Sequence, residues 1–457
     1  MSRALEGEPL VTHDAARRAA NYVLDHPGAE GVEVMITGSR TGLTRYAGSE
    51  IIQNTARDEV RAFVRVVVGQ KLASATTNQL DAEHMRATAE DAIEAAHASR
   101  DDSEWPGLAT PDEAQGAPAL FRWDEATASS SPKERADAVS RILEETRGHK
   151  AAGVFETSAH AYSVFSSEGI DCYDAFTRCI CTCLVDSGAA TGWGEASSPD
   201  AAGVDVRAAA RSAVSKAAAG EPAADVRPGA YEVVLEPAAV ATLLDYLSYT
   251  GFGAKQVLEG ESFLAALAGS RVAAPEITIA DDVRHPKSVG IGFDFEGVPR
   301  RRVAIIEDGT ATGPVSDRRT ARKLGVESTG HYSGSTEFGP YAFNLVMAPG
   351  EAGPPDLVGG VRRGLLVTRF HYVNILDRRA TLLTGMTRDG TFRITDGEVA
   401  EPVCNLRFTQ SVLDALGSAL GVGRELASFA PDYGAFGSTV VPALRLGEFN
   451  FTSTTSH

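Results

Sequence analysis

Residues Gly364 to Phe408 read GLLVTRFHYVNILDRRATLLTGMTRDGTFRITDGEVAEPVCNLRF. Short runs of Leu, Val, Ile, Phe and Thr are separated by Thr384-Gly385, Asp389-Gly390 and Asp396-Gly397. Apolar–polar alternation interrupted by such pairs predicts antiparallel strands joined by tight hairpins. The polar content is high for core strands: Arg369, His371, Tyr372, Asn374, Arg388, Asp389 and Asn405 lie in or beside them. With period two, Arg369, His371 and Val373 share one face, and Phe370, Tyr372 and Asn374 share the other. Two readings stay open: a solvated sheet face, or a polar-lined cleft or channel.

Around this stretch the chain has 457 residues, enough for two or three domains and a large core. Its 43% hydrophobic and 23% charged residues are those of an ordinary globular protein. A net charge of -18 opposes binding to nucleic acid, because phosphates repel an acidic surface. No run of about 18 apolar residues exists to span a membrane. The start, MSRALEGEPLVTHDAARR, lacks the apolar core of a signal peptide, and the five cysteines are odd in number and scattered. A cytoplasmic location is expected.

Ala15, Ala19, Tyr22 and Val23 have helical spacing before Pro27-Gly28. Gly31 to Thr44 then reads as a strand, VEVMIT, followed by a turn and YAGSEIIQNTARD. A third strand, EVRAFVRVVVGQKLASATT, alternates Val60, Ala62, Val64 and Val66 against Arg61, Phe63, Arg65 and Val67. Leu80 to Ser99 is an amphipathic helix. Asp101 to Ser131 reads as a long connection holding Trp105 and Trp123, and Lys133 to Gly148 as a helix.

Val154 to Val185 gives strands around Gly169, the second carrying Cys179, Cys181 and Cys183. On a strand these thiols lie on one face at successive spacings of about 6.6–7 Å, whereas zinc needs ligands within about 2.3 Å of one point. They read as small buried hydrophobes rather than a metal or redox site. Val204 to Gly220 is an alanine-rich helix, and Pro222 to Gly229 a turn-rich linker. Tyr231 to Leu235 is a buried strand, and Glu236-Pro237 opens a helix with proline near its first position. Arg300, Arg301, Arg302, Arg318, Arg319 and Arg322 form a local basic concentration, either a solvated face or a carboxylate site. Gly290-x-Gly292 is too weak a pattern for phosphate binding.

The runs LLVTRFHYVN, TGMTRDGTF, DGE and PVCNLRF resemble the C-terminal signature of the TldD/PmbA family of metallopeptidases, once described as gyrase modulators. The similarity continues upstream in FDFEGVPRRR (Phe293 to Arg302), IIEDG (Ile305 to Gly309) and TARKLGVESTGH (Thr320 to His331). It extends to VPALRLGEFNFTSTT (Val441 to Thr455), and to YAGSEIIQN (Tyr46 to Asn54) and ASATTNQLD (Ala73 to Asp81).

In the catalytic branch a helix carries His-Glu-x-x-x-His after a Leu pair: two zinc ligands and a general base. Here Leu243-Leu244 is followed by Asp245, Tyr246, Leu247, Ser248, Tyr249 and Thr250, so both histidine positions and the glutamate position (Asp245, Thr250 and Tyr246) are changed. That branch also places a cysteine near the C-terminus, and YGAFGSTV before Val441 has none. The resemblance therefore implies the TldE/PmbA-like branch. Such a chain carries no catalytic residue, metal or cofactor of its own, and pairs with a zinc-bearing TldD-like subunit. It would help enclose a peptide or amide substrate, without nucleic acid or membrane. Arg369, His371, Tyr372, Asn374, Arg388 and Asp389 are the substrate-cleft candidates. His285, His331 and His371 are too far apart in sequence to indicate a metal site. An independent hydrolase using the 364–408 residues and a homodimeric interaction protein are the alternatives.

The expected fold is α+β: N-terminal helix and antiparallel-strand units, then a large, mostly antiparallel mixed C-terminal domain. The divisions are 1–100, an N-terminal α+β domain; 101–228, a linker and middle α+β domain; and 229–457, a β-rich domain with the signature.

Overall fold

The computed structural model describes residues 7–116, 119–220, 226–431 and 436–454. Residues 222–225 of the expected linker, 433–435 of YGAFGSTV and the final Thr455 of the C-terminal motif lie outside them.

Helix α1 (His13–Ala20) leads into β1 (Gly31–Ala47), β2 (Glu50–Val68) and β3 (Lys71–Thr77). The turn expected after VEVMIT is absent: β1 runs straight through, because Gly38 is packed where a side chain would lie 2.8 Å from Val11. The reversal falls at Gly48-Ser49, both with positive φ (59° and 65°), as a two-residue hairpin requires. The expected third strand divides in turn at Gly69-Gln70 into β2 and β3.

Helix α2 (Ala82–Ala98) is capped by Asp81, whose side chain accepts from the amides of Glu83 and His84. It buries Met85, Ala89, Ala92 and Ala96 against Ala62, Val64 and Val66. Helix α3 (Pro132–Glu145) starts with a Ser131/Glu134 capping box. Then come β4 (Lys150–Ser166), β5 (Asp171–Asp186), β6 (Thr191–Ser198) and helix α4 (Val206–Ala217).

These strands form one antiparallel sheet in the order β3-β2-β1-β4-β5-β6. The sheet runs across residue 100, since β1 and β4 pair side by side. Cys179, Cys181 and Cys183 share the face of β5 that packs under α3 and α4, and all three are fully buried.

Beyond residue 226 the strands are β7 (Gly229–Leu235), β8 (Ile279–Asp281), β9 (Val303–Glu307), β10 (Thr310–Ala311) and β11 (Asn344–Met347). They continue as β12 (Arg363–Asp377), β13 (Leu382–Thr395), β14 (Glu398–Pro402), β15 (Leu406–Ser411) and β16 (Ala419–Val422). The last are β17 (Ala427–Phe429), β18 (Ser438–Val441) and β19 (Leu444–Thr454).

One sheet has the order β10-β9-β8-β11-β18-β17. The other closes on itself: β12-β7-β19-β15-β13 are successive neighbours, and β13 pairs back onto β12. Phe370, Phe408 and Phe449 pack together at its core, with ring centroids 4.6–5.5 Å apart. Only β12–β7 and β11–β18 are parallel among the named pairings, so the fold is α+β and mostly antiparallel.

Of the three glycine pairs expected to be hairpins, only Asp396-Gly397 turns the chain. Strand β13 passes through Thr384-Gly385, where a side chain on Gly385 would press to 2.7 Å of Phe408, and through Asp389-Gly390. The β12–β13 turn lies instead at residues 378–381.

The basic concentration does not gather into one site, because Arg300 is buried and Arg301, Arg318 and Arg319 pair with separate carboxylates. Arg300 is buried, donates from Nε to the Phe293 carbonyl (3.1 Å) and lies over Phe343 and Phe436. Arg301 pairs with Glu327 (2.6 Å), Arg318 with Glu113 (2.9 Å) and Arg319 with Asp102. Among the described residues, no helix is long and apolar enough to cross a membrane.

Candidate functional site

Two opposed bulges shape the signature strands. Val367 faces Thr391 and Arg369 faces Arg388, so β13 carries one extra residue at Asp389-Gly390, with φ +54° and +126°. Further along, His371 faces Met386 and Asn374 faces Thr384, so here the extra residue is on β12. It is Tyr372, at φ +50°. Bulges re-aim side chains, and a tyrosine at positive φ is held there by its surroundings.

The second bulge overturns the expected sharing of faces. Phe370 and Val373 both enter the core, while Tyr372 is 69% exposed. Arg369, His371 and Val373 therefore do not share a face, because the extra residue inverts the alternation within their span.

Asp389, 2% exposed, anchors the first bulge. Arg369 donates from Nε to its carboxylate (2.8 Å), and Arg388 Nε lies 3.9 Å away. The other side of the Arg369 guanidinium rests on Trp193 of β6, 3.9 Å from the ring centroid. A cation held between a carboxylate and an aromatic face has little rotameric freedom. Close by, Lys216 of α4 bonds the Trp193 carbonyl (3.1 Å) and the Glu236 carboxylate (2.7 Å). The first sheet is thereby stitched to the start of helix α5 (Pro237–Gly251).

Arg369, His371, Tyr372 and Asn374 line a cavity of about 350 Å³. Its opposite wall is α5, which contributes Thr242, Asp245 and Tyr246, and β6 adds Glu195. Arg388 and Asp389 are not in this lining; they sit behind Arg369. Thr250 lies a turn further along α5, buried, and donates to the Tyr246 and Leu247 carbonyls. Sequence reasoning missed Glu195, Trp193 and Thr242. The only local signal was a tryptophan between Gly192 and Gly194, in whose place side chains would collide with α4.

Helix α5 is apolar almost all round, as a buried helix should be, yet it holds Asp245 at 7% exposure. Thr439 Oγ1 of β18 donates to Asp245 Oδ1, and the Tyr246 hydroxyl donates to the Val373 carbonyl at the bulge (2.7 Å). A zinc ion would need these positions as open, convergent ligands. The residues present do not fit one, being an acid and a phenol already engaged and a threonine bonded to its own helix. Among the described residues, no three His, Cys, Asp or Glu side chains converge to hold an ion.

The other histidines considered lie elsewhere. His331 is fully buried, with Nε2 3.0 Å from Asp281 Oδ1 and Nδ1 2.9 Å from Thr329 Oγ1. Burial alone would raise the Asp281 carboxyl, but the neighbouring imidazole brings it below the usual range. His285 is half-buried, and burial lowers its pKa.

Residues 228–453 match the PmbA/TldA metallopeptidase C-terminal domain, and 32–96 match PmbA/TldA metallopeptidase domain 1. A metalloprotease of Methanothermobacter thermautotrophicus is 27% identical over 202 residues, 43% of each chain. Metalloprotease PmbA of Escherichia coli O157:H7 is 26% identical over 173 residues, 37% of this chain and 36% of that one. The chain thus spans less than half the length of the curated relatives it matches.

The whole fold is shared with TldE of Thermococcus kodakarensis: TM-score 0.82, 20% identity, 96% of this chain and 99% of the other. A Bacteroides thetaiotaomicron protein described as a modulator of DNA gyrase superposes with TM-score 0.80 at 19% identity, covering 96% and 98%. With both domain matches in sequence order and the fold shared end to end, the chain belongs to the PmbA/TldD metallopeptidase family.

Proposed function

We propose that this chain is the TldE/PmbA-like, zinc-free half of a two-subunit metallopeptidase, its partner being a TldD-like subunit that carries the zinc. The observation that carries this reading is helix α5. Asp245, Tyr246 and Thr250, which by resemblance take the positions of the catalytic branch's ligands and base, are each tied into the fold. The signature residues nevertheless gather around the same helix. A cavity that keeps its polar wall without a metal set suits substrate positioning.

The substrate would be an extended or unfolded peptide, or a dedicated amide. Arg369, held by Asp389 and Trp193, offers a fixed cation to a carboxylate or a peptide carbonyl. Asn374 supplies a donor and an acceptor together, matching a peptide unit. His371 and Tyr372, their rings tilted with centroids 4.3 Å apart, give a polar-aromatic rim. The partner's zinc would supply the activated water and polarise the scissile carbonyl.

The test is purification of the chain alone and with a zinc-bearing partner, followed by metal analysis and peptide hydrolysis. The expected outcome is hydrolysis only by the pair, and no stoichiometric zinc on the isolated chain. His371→Ala in the pair should lower hydrolysis at least about tenfold, with assembly and partner zinc unchanged. Zinc-dependent hydrolysis by the isolated chain would make it an independent enzyme. Self-association without any partner or hydrolysis would make it an interaction protein.

A further inference from the structure

A second cavity, of about 470 Å³, opens where β2 and β3 meet the C-terminal loops. It shares no lining residue with the first. Arg65 of β2 lines it, and behind Arg65 its cross-strand neighbour Glu33 of β1 lies 3.0 Å away, Oε1 to Nη1. The same guanidinium lies 3.6 Å from Glu296 Oε1 and donates to the Tyr332 hydroxyl (2.6 Å). Asp294, fully buried beside them, accepts from the amides of Glu296, Val298 and Tyr332. One arginine is thus shared between two carboxylates, with a third close by.

Glu296 is the unfinished member. It is 7% exposed and lines the cavity, yet its Oε2 has no hydrogen-bond partner. A buried carboxyl oxygen left without a donor is costly, so a ligand supplying one gains that energy. The nearby arginines do not fill the role, since Arg318 and Arg319 are committed to Glu113 and Asp102. Asp102, Asp317 and Glu337 add negative charge to the lining, Arg100 joins Arg65 and Arg319 as its cations, and Trp105 offers an aromatic surface. A single free oxygen suits a compact point charge better than the two-pronged guanidinium fork.

We propose that this cavity binds a primary ammonium group, borne by the N-terminus of a short peptide or by a lysine side chain. The proposal is independent of the role assigned to the first cavity. Burial, reinforced by the Asp294 and Glu33 charges, pushes the Glu296 carboxyl up to about 8 against the Arg65 and Arg318 charges around it. At neutral pH Glu296 is therefore protonated, and an incoming ammonium must expel that proton. Affinity rises with pH until the carboxyl is ionised.

Calorimetry on the full chain tests this with three probes: Nα-acetyl-lysine amide, alanyl-alanine amide and its N-acetylated form. At least one amine should bind and the acetylated peptide should not; whichever amine binds identifies the source. The lysine amine stays charged to about pH 10, so any lysine-probe binding should strengthen up to about tenfold per pH unit below the Glu296 pKa. Glu296→Gln, which mimics the protonated acid and should keep the fold as judged by thermal unfolding, should weaken binding by about tenfold or more. His371→Ala should leave it unchanged. The proposal falls if no amine binds at millimolar concentration, if the N-acetylated peptide binds as well as the amine that does, if Glu296→Gln binds as wild type, or if His371→Ala removes the signal.

Discussion

Strands β4 and β5 pair from Lys150↔Asp186 to Phe165↔Asp171 without a single shift of register. Strands β12 and β13 are similarly long, yet their register shifts three times. The consequences differ in kind. Unbroken alternation sends Cys179, Cys181 and Cys183 into one core under α3 and α4. Broken alternation puts Phe370 and Val373 into the core together and leaves Arg369, His371, Tyr372 and Asn374 around a cavity. A regular ladder builds a core, and a bulged one can aim polar side chains at a common space.

The largest expected effect that could break this contrast comes from Asp389, which anchors the first bulge. Asp389→Ala strands Arg369 and places alanine at positive φ; it should destabilise the protein by about 3 kcal/mol, since Arg369 is partly exposed. Asp389→Asn keeps a residue tolerant of that backbone and should cost less than half as much. Urea unfolding measures both. A loss below about 1 kcal/mol for the alanine variant would mean that the bulge holds without its ion pair.

The regular ladder should respond mildly. Replacing Cys179, Cys181 or Cys183 by alanine should cost about 1 kcal/mol each, and activity with a partner should persist. Burial pushes all three thiols up, Cys181 to about 12, so they stay protonated at neutral pH. Alkylation of the native protein should reach the half-buried Cys404 well before them, as mass spectrometry of the labelled peptides would show. Rapid labelling of the triplet would remove the distinction between the two strand pairs.

Tyr372→Gly should have the smallest effect on stability and the opposite sign. Glycine accepts φ +50° freely, so the variant should gain up to about 1 kcal/mol. The same change removes the exposed ring beside His371 and should lower hydrolysis by the assembled pair. Stability and activity moving apart would mark the bulge as held for function. A destabilised variant would show that the ring supports the fold.

The sequence by itself determined the local elements. Alternation in the VRAFVRVVV run marked a half-buried strand, and the 3.6-residue stripe of Met85, Ala89, Ala92 and Ala96 marked α2. Proline at the first turn of α5 and the one-sided cysteine triplet were equally legible, because each depends only on bond geometry within a few residues. The changed positions Asp245, Tyr246 and Thr250 were visible too, though only through resemblance.

Tertiary structure alone decided which glycine pairs turn and which pass straight through. Gly385 passes through because Phe408, distant in sequence, packs against it, and Asp389-Gly390 becomes a bulge instead of a hairpin. Closure of β13 onto β12, the placing of Trp193 against Arg369, and the meeting of α5 with the signature were likewise beyond local patterns. A bulge carries no sequence period, and contact between β6 and β12 is set by how two sheets pack. Alternation can assign a face to each side chain, but where two faces meet depends on long-range burial that no short window encodes.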